Sequence, residues 1–158
     1  MKFDTAFALL LGHEGEFSDH PDDPGGKTRY GVTEEVARET GYKGDMRELP
    51  LELAQRIYLE KYWKPIRADD LPPGIRYAVF DGAVNSGPAQ ATRWLQRGLG
   101  VEADGVIGPQ TLAAAYAQDA NALRMRMLAQ RLRFMTVLGN WPSFGRGWAR
   151  RIADLMEA

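Results

Sequence analysis

The chain has 158 residues, 44% of them hydrophobic, enough for one domain, or a domain with a small closely packed lobe, to bury a core unaided. It has no cysteine, which excludes disulfides, thiolate chemistry and zinc–thiolate sites, and its two histidines, His13 and His20, exclude a histidine-rich metal site. A net charge of -1 and a pI near 6.1, with no basic stripe interleaved with aromatics, exclude the usual footprint of a nucleic-acid binder.

The first element is an amphipathic helix. Phe3, Phe7, Leu10 and Glu14 recur at spacings of four, three and four, so a helix sets them on one face. The apolar face thus ends in a carboxyl group. Packed against apolar side chains, Glu14 would be partly desolvated with a raised pKa, as a general acid for glycosidic cleavage requires. A helix-terminal Glu turned out to solvent is the alternative, because perturbation is only a probabilistic sign of function. The same segment, with Lys2 and a short apolar run, mimics a secretion signal, but Asp4 interrupts it and no small-residue cleavage site follows.

Residues 15–33 are dense in Asp, Pro and Gly and predict an irregular loop or short hairpin, with turns at Asp23-Pro24 and Gly25-Gly26. This loop carries a second carboxylate, Asp23, and a hydroxyl, Thr28, back toward the helix that ends in Glu14. Two carboxyls flanking a sugar bond are the usual glycosidase arrangement. Asp19, Asp22, Asp23 and His20 lack the spacing of a calcium loop and are read as loop carboxylates, with no metal.

Thr33, with Glu35 nearby, starts a short helix through about Glu39. Pro50 suits a first helical position, and Leu51, Ala54, Ile57, Tyr58 and Tyr62 give an apolar side running to Trp63, where Lys64-Pro65 ends the helix. The aromatics of this helix line a sugar cleft or fill a core; Tyr58 is expected mostly in the core, and Tyr62 or Trp63 nearer the cleft. Pro73 opens a central helix with Ile75, Val79 and Ala83 inward. On it Asp81 and Asn85 share a face, Asp81 either capping a neighbouring backbone, a structural hydrogen bond, or facing the cleft as a substrate or water contact. Gly87-Pro88 starts a helix with Ala91, Trp94, Leu95 and Leu99; Asp104-Gly105 marks a turn and Gly108-Pro109 restarts a helix. A long helix spans roughly Asn121 to Leu138, with Leu128, Leu132 and Met135 inward. Asn140-Trp141-Pro142 interrupts it before a last amphipathic helix bearing Phe144, Trp148, Ile152 and Leu155.

Charge is unevenly spread: residues 1–87 carry 11 basic and 16 acidic groups, residues 88–158 carry 9 and 5, and all nine bases there are Arg. The basic half either favours an anionic wall or membrane surface or forms solvated helix faces. No run reaches the length of a membrane span, so no stable membrane insertion is expected.

The spacing Glu14, Asp23, Thr28, Gly31 resembles the catalytic signature of phage-type lysozymes, with one residue of difference between Asp and Thr. Taken in order, His13-Glu14-Gly15, Asp23 to Thr28, Tyr30-Gly31-Val32-Thr33, Tyr58 to Trp63 and Phe80 to Gly87 are similar to glycoside hydrolase family 108, the N-acetylmuramidases of phage endolysins and bacterial secretion-activator proteins. Trp94 to Gly100 and Asp104 to Leu112 resemble the helical peptidoglycan-binding part that follows in that family. One departure stands out: two glycines and a tyrosine usually follow the catalytic Glu, and here the run is Gly15-Glu16-Phe17. Phe17 can fill the tyrosine's packing role but not its hydrogen bond. Glu16 is either solvated or, in an extended chain, a neighbour that raises the pKa of Glu14.

The resemblance implies a mainly α, lysozyme-like fold with a short β-hairpin or irregular loop beside the active-site cleft. Residues 1–87 would be catalytic, with the binding-like part, 88–158, packed onto them. It implies cleavage of the β-1,4 bond between N-acetylmuramic acid and N-acetylglucosamine in peptidoglycan glycan strands. Glu14 would act as acid, Asp23 would stabilise charge or orient water, and Thr28 would position that water. Tyr30, Tyr62, Trp63 and Asn85 would bind substrate, with no cofactor. Carboxyls about 6.5–9.5 Å apart would give single displacement, and about 5–5.5 Å a covalent intermediate. A lytic transglycosylase and a non-catalytic wall-binding or secretion-promoting protein are the rival readings. The expected protein is a monomer made in the host cytoplasm and delivered to the wall by a holin, by lysis or by a dedicated route.

Overall fold

A computed structural model describes residues 1–13, 17–19 and 26–158, and for His13 the backbone. Among the described residues the chain forms eight α-helices and one three-stranded antiparallel sheet, in two compact units, Lys2–Lys61 and Tyr62–Ala158 with Met1.

In the first unit, α1 (Phe3–His13) buries Ala6, Phe7 and Leu10, with Leu10 four and three residues on from the other two. Phe7 packs 5.4 Å from the ring of Tyr58 and stacks on Phe3. The helix ends one residue before Glu14, which lies outside the described residues. Strands β1 (Phe17–Ser18), β2 (Thr28–Arg29) and β3 (Val32–Thr33) pair in that order. Tyr30 (φ 52°) and Gly31 (φ 73°) join β2 to β3. Two successive positive φ angles make the type I′ turn whose twist suits a two-residue hairpin. This hairpin turn falls at Tyr30-Gly31; of the two turns expected upstream, only Gly26 lies within the described residues, at φ 62°. Tyr30 is not a glycine, so its conformation costs roughly 1–2 kcal/mol, offset in part by the buried Tyr58 hydroxyl, which donates to the Tyr30 carbonyl at 2.9 Å.

Helix α2 (Glu34–Glu39) begins where its cap dictates: the Thr33 hydroxyl accepts from the Val36 amide at 3.3 Å. A short 3-10 turn buries Met46, and Leu49 follows it into the core. Pro50 stands at the cap of α3 (Leu51–Tyr58) rather than at its first position, its carbonyl accepting from Leu53 and Ala54. The helix then widens into a π turn, Leu59–Trp63, where a plain α-helix was predicted.

In the second unit, Pro72 to Ile75 form a turn and α4 (Arg76–Ser86) starts three residues after Pro73. Proline supplies no amide for a helix interior, and here it belongs to the approach. Helix α5 (Pro88–Leu99) and α6 (Pro109–Tyr116) each open on a proline, as predicted. Helix α7 (Ala120–Thr136) is capped by Asp119, whose carboxylate accepts from the Ala122 amide at 2.8 Å. Helix α8 (Trp141–Glu157) takes Pro142 into its first turn.

Helix α5 packs on both α4 and α7, and α7 on α8. Small residues set the spacing. A Cβ on Gly82 would meet the Ala91 Cβ at 3.3 Å, and one on Gly98 would meet the Met127 backbone nitrogen at 3.2 Å. Trp94 and Leu95 fill the space between, with Phe134 edge-on to Trp94 at 5.4 Å. Each large side chain so buried contributes about 1.5–3 kcal/mol. Leu128 and Met135 point inward as expected, but Leu132 is only half-buried, and its neighbour Arg131 is buried in its place.

Candidate active site

Glu14 and Asp23 lie outside the described residues, as do Gly15, Glu16, His20 and Asp22. The first unit presents the other predicted residues of the loop. Thr28 is half-buried on β2, the middle strand, opposite both Ser18 and Thr33. A central strand bonded on both sides gives its side chain a fixed direction. Tyr30 sits two residues on, at the turn. Its hydroxyl accepts from Arg29 Nη2 at 3.2 Å, and the Arg29 guanidinium lies 4.9 Å over its ring. Thr28 and Tyr30 therefore share one rigid hairpin. Phe17, standing in the place of a tyrosine, packs under the Arg47 guanidinium at 5.2 Å.

In the second unit Tyr62 is half-buried in the π turn. Trp63, predicted to stack on a sugar, is fully buried with its ring edge-on to Phe80 at 5.3 Å. A ring with no exposed face packs a core and cannot stack on substrate, so the sugar-binding assignment does not hold for Trp63. Asn85 is exposed near the end of α4, its Nδ2 donating to the Asp81 carbonyl at 2.8 Å.

Asp81 resolves the choice the sequence left open: it bonds two neighbouring helices. Its Oδ1 accepts from Arg131 Nη1 at 2.6 Å, and its Oδ2 accepts from Arg151 Nε at 2.8 Å, with Arg151 Nη2 at 2.7 Å. The Asp81 and Arg131 side chains are 1% and 3% exposed, so this carboxylate ties α4 to α7 and α8 out of water. The basic residues of the distal half are therefore not all solvated. Sequence reasoning missed Arg131, although it lies four residues from both Met127 and Met135, in phase with a buried stripe.

Beside this group a cavity of about 250 Å³ is lined by Asn85 and Ser86 of α4, Arg131 and Met135 of α7, and Asn140 and Trp148 around the start of α8. Trp148 continues outward into an aromatic face. Trp141 lies 6.0 Å from it and the exposed Phe144 stacks on it at 5.9 Å.

The motif between α5 and α6 has a local explanation. Gln96, buried on α5, donates through Nε2 to Asp104 Oδ1 at 2.7 Å, to the Val106 carbonyl at 3.0 Å and to Thr111 Oγ1 at 3.2 Å; its Oε1 accepts from the Gly105 amide. Gly105 has φ 83°, and a Cβ there would meet the Ala89 carbonyl at 3.3 Å, so the turn admits only glycine. The amide of Val106 and the Gln96 side chain hold the Asp104 carboxyl below the usual carboxylate range. Among the described residues no three His, Asp or Glu side chains gather as metal ligands would, and no helix is long and apolar enough to cross a membrane.

The helices and small antiparallel sheet among the described residues make a mainly α, lysozyme-like fold, and comparison with known proteins gives the family. The description Glycosyl hydrolase 108 matches residues 7–87, and Predicted Peptidoglycan domain matches residues 90–153. The chain is similar to the solved structure of Brucella abortus SagA, with 37% identity and a TM-score of 0.89 over 98% of this chain and 91% of that one. No curated protein matches the sequence. The chain belongs to the Glycosyl hydrolase 108 family, and is by that membership a glycoside hydrolase with a peptidoglycan-binding part.

Proposed function

We propose that the protein is an N-acetylmuramidase that hydrolyses the β-1,4 bond between N-acetylmuramic acid and N-acetylglucosamine. Glu14 protonates the leaving oxygen, Asp23 stabilises positive charge at the anomeric carbon or orients water, and Thr28 positions that water. Tyr30, Tyr62 and Asn85 contact the glycan. The protein reaches the wall from the cytoplasm with the help of a holin, lysis or a dedicated secretion route.

The observation that carries this reading is the family match across residues 7–87, which contains Glu14, Asp23 and Thr28 in order. Two structural features support it. Helix α1, which buries Phe7 and Leu10, ends one residue before Glu14, and Leu10 stands four residues ahead of it in the sequence. Thr28 sits on the central strand of a three-stranded sheet, a rigid mount for a water-positioning hydroxyl.

The test is clearing of purified walls by the parent chain and by Glu14→Gln, with product masses. Clearing lost in the variant, and a reducing N-acetylmuramic end from the parent, is the expected result. Anhydro-muramic ends would make the protein a lytic transglycosylase, and equal clearing by Glu14→Gln would overturn the catalytic assignment.

A further inference from the structure

We infer that the cavity between the end of α4, α7 and the start of α8 is a subsite for a carboxylate borne by an N-acylated wall fragment. The inference rests on the peptidoglycan reading above and adds to it a site, a ligand chemistry and the residue that recognises it.

The recognising residue is Arg131. Its side chain is 3% exposed, yet it lines the cavity. A buried guanidinium normally spends its donors on carboxylates or carbonyls. Of the five N–H groups of Arg131, the Nη1 bond to Asp81 Oδ1 uses one and the Nε is buried without a partner, so the remaining Nη hydrogens are what the side chain offers the cavity. Asp81 already accepts from Arg151 at its other oxygen and, at 3.4 Å, from Asn85 Nδ2 at Oδ1. Arg131 thus lines an open space with donor capacity in reserve, and guanidinium geometry suits a carboxylate.

Two further walls fit the rest of such a ligand. Asn85 has committed its Nδ2 to the Asp81 carbonyl, which leaves Oδ1 to accept from an amide N–H such as that of an acetamido group or peptide. Trp148 offers an aromatic wall, extended by Trp141 and Phe144, on which the apolar face of a sugar can stack. Carboxylate, amide and apolar ring face occur together on muramic-acid units, where the carboxylate comes either from the sugar's lactyl arm or from the attached peptide.

The experiment is titration calorimetry of the full chain with three probes. These are N-acetylmuramic acid, with a free lactyl carboxylate; muramyl dipeptide, whose carboxylate lies on the peptide; and N-acetylglucosamine, which has none. The expected result is that one or both carboxylate probes bind at least tenfold more tightly than N-acetylglucosamine. Tight binding of N-acetylmuramic acid alone assigns the lactyl arm, and of muramyl dipeptide alone the peptide. Ser86→Phe enters the cavity from an exposed position and leaves every residue of the ion group in place, and should abolish the preference while the unfolding midpoint stays at the parent value. Arg131→Met should abolish it too. Equal binding of all three probes, or an undiminished preference in Ser86→Phe, overturns the inference. If the parent clears walls yet shows no carboxylate preference, the subsite alone is refuted. If the parent shows the preference but clears no wall, the catalytic reading falls and the subsite stands.

Discussion

Replacing Asp81 by Asn tests what holds the helical unit together. The substitution keeps the side chain's shape and removes its charge. Arg131 and Arg151, with side chains 3% and 17% exposed, then lose their shared counter-ion inside the protein. Neither guanidinium can relieve the imbalance by losing a proton. An Asn retains one acceptor oxygen where the carboxylate had two, so one arginine faces an amide NH₂ in place of an oxygen. Breaking a buried pair by removing one partner costs about 3–5 kcal/mol. At roughly 2–4 °C per kcal/mol for a chain of this size, the midpoint should fall by about 6–20 °C. Thermal and urea unfolding followed by circular dichroism provide the measurement. The triple variant Asp81→Leu, Arg131→Met, Arg151→Met should recover most of the loss, because apolar groups of similar volume replace a buried ion group at little net cost. A fall of less than about 1 kcal/mol in Asp81→Asn, the scale of an exposed pair, would refute the claim that this carboxylate joins the three helices.

Gly98→Val places a side chain where the Met127 backbone nitrogen stands 3.2 Å from a Cβ, so α5 and α7 must part. Urea unfolding should show a loss of about 1–3 kcal/mol, and parental stability would mean the helices do not meet there. Asp104 is held below its ordinary value by the Val106 amide and Gln96, so its contribution to stability is full above the unfolded-state value and is lost as pH falls through the lower folded one. The parent should therefore lose more stability than Asp104→Asn between about pH 5 and pH 2, a window bracketing the free carboxyl near 3.9. Equal losses in urea midpoints would contradict this.

Much of the fold was legible because local rules and tertiary packing agree. The Thr33 cap, the prolines at 88 and 109 and the turn at Asp104-Gly105 each act through neighbours within a few residues. Each misplacement has a physical cause. Pro73 was read as a helix start, but the approach turn from Pro72 delays α4 to Arg76. Trp63 looked like a sugar platform because sequence cannot tell an aromatic that faces a cleft from one that meets Phe80. Arg131 was invisible because its partner lies fifty residues away. Glu14 and Asp23 rest on motif spacing, and on a helix whose apolar face runs toward position 14.

Periodicity, caps and motif spacing are written along the chain, so the family, the order of the helices and the residues whose chemistry suits glycan cleavage can be read from it directly. The tertiary structure decided which polar residues are spent on the fold and which are left over. Asp81 is consumed by two arginines, Gln96 by a turn, and Trp63 by a core, while Arg131, with one N–H bonded to Asp81, lines an open cavity. Those assignments depend on groups brought together from distant parts of the chain, where burial removes water as the alternative partner.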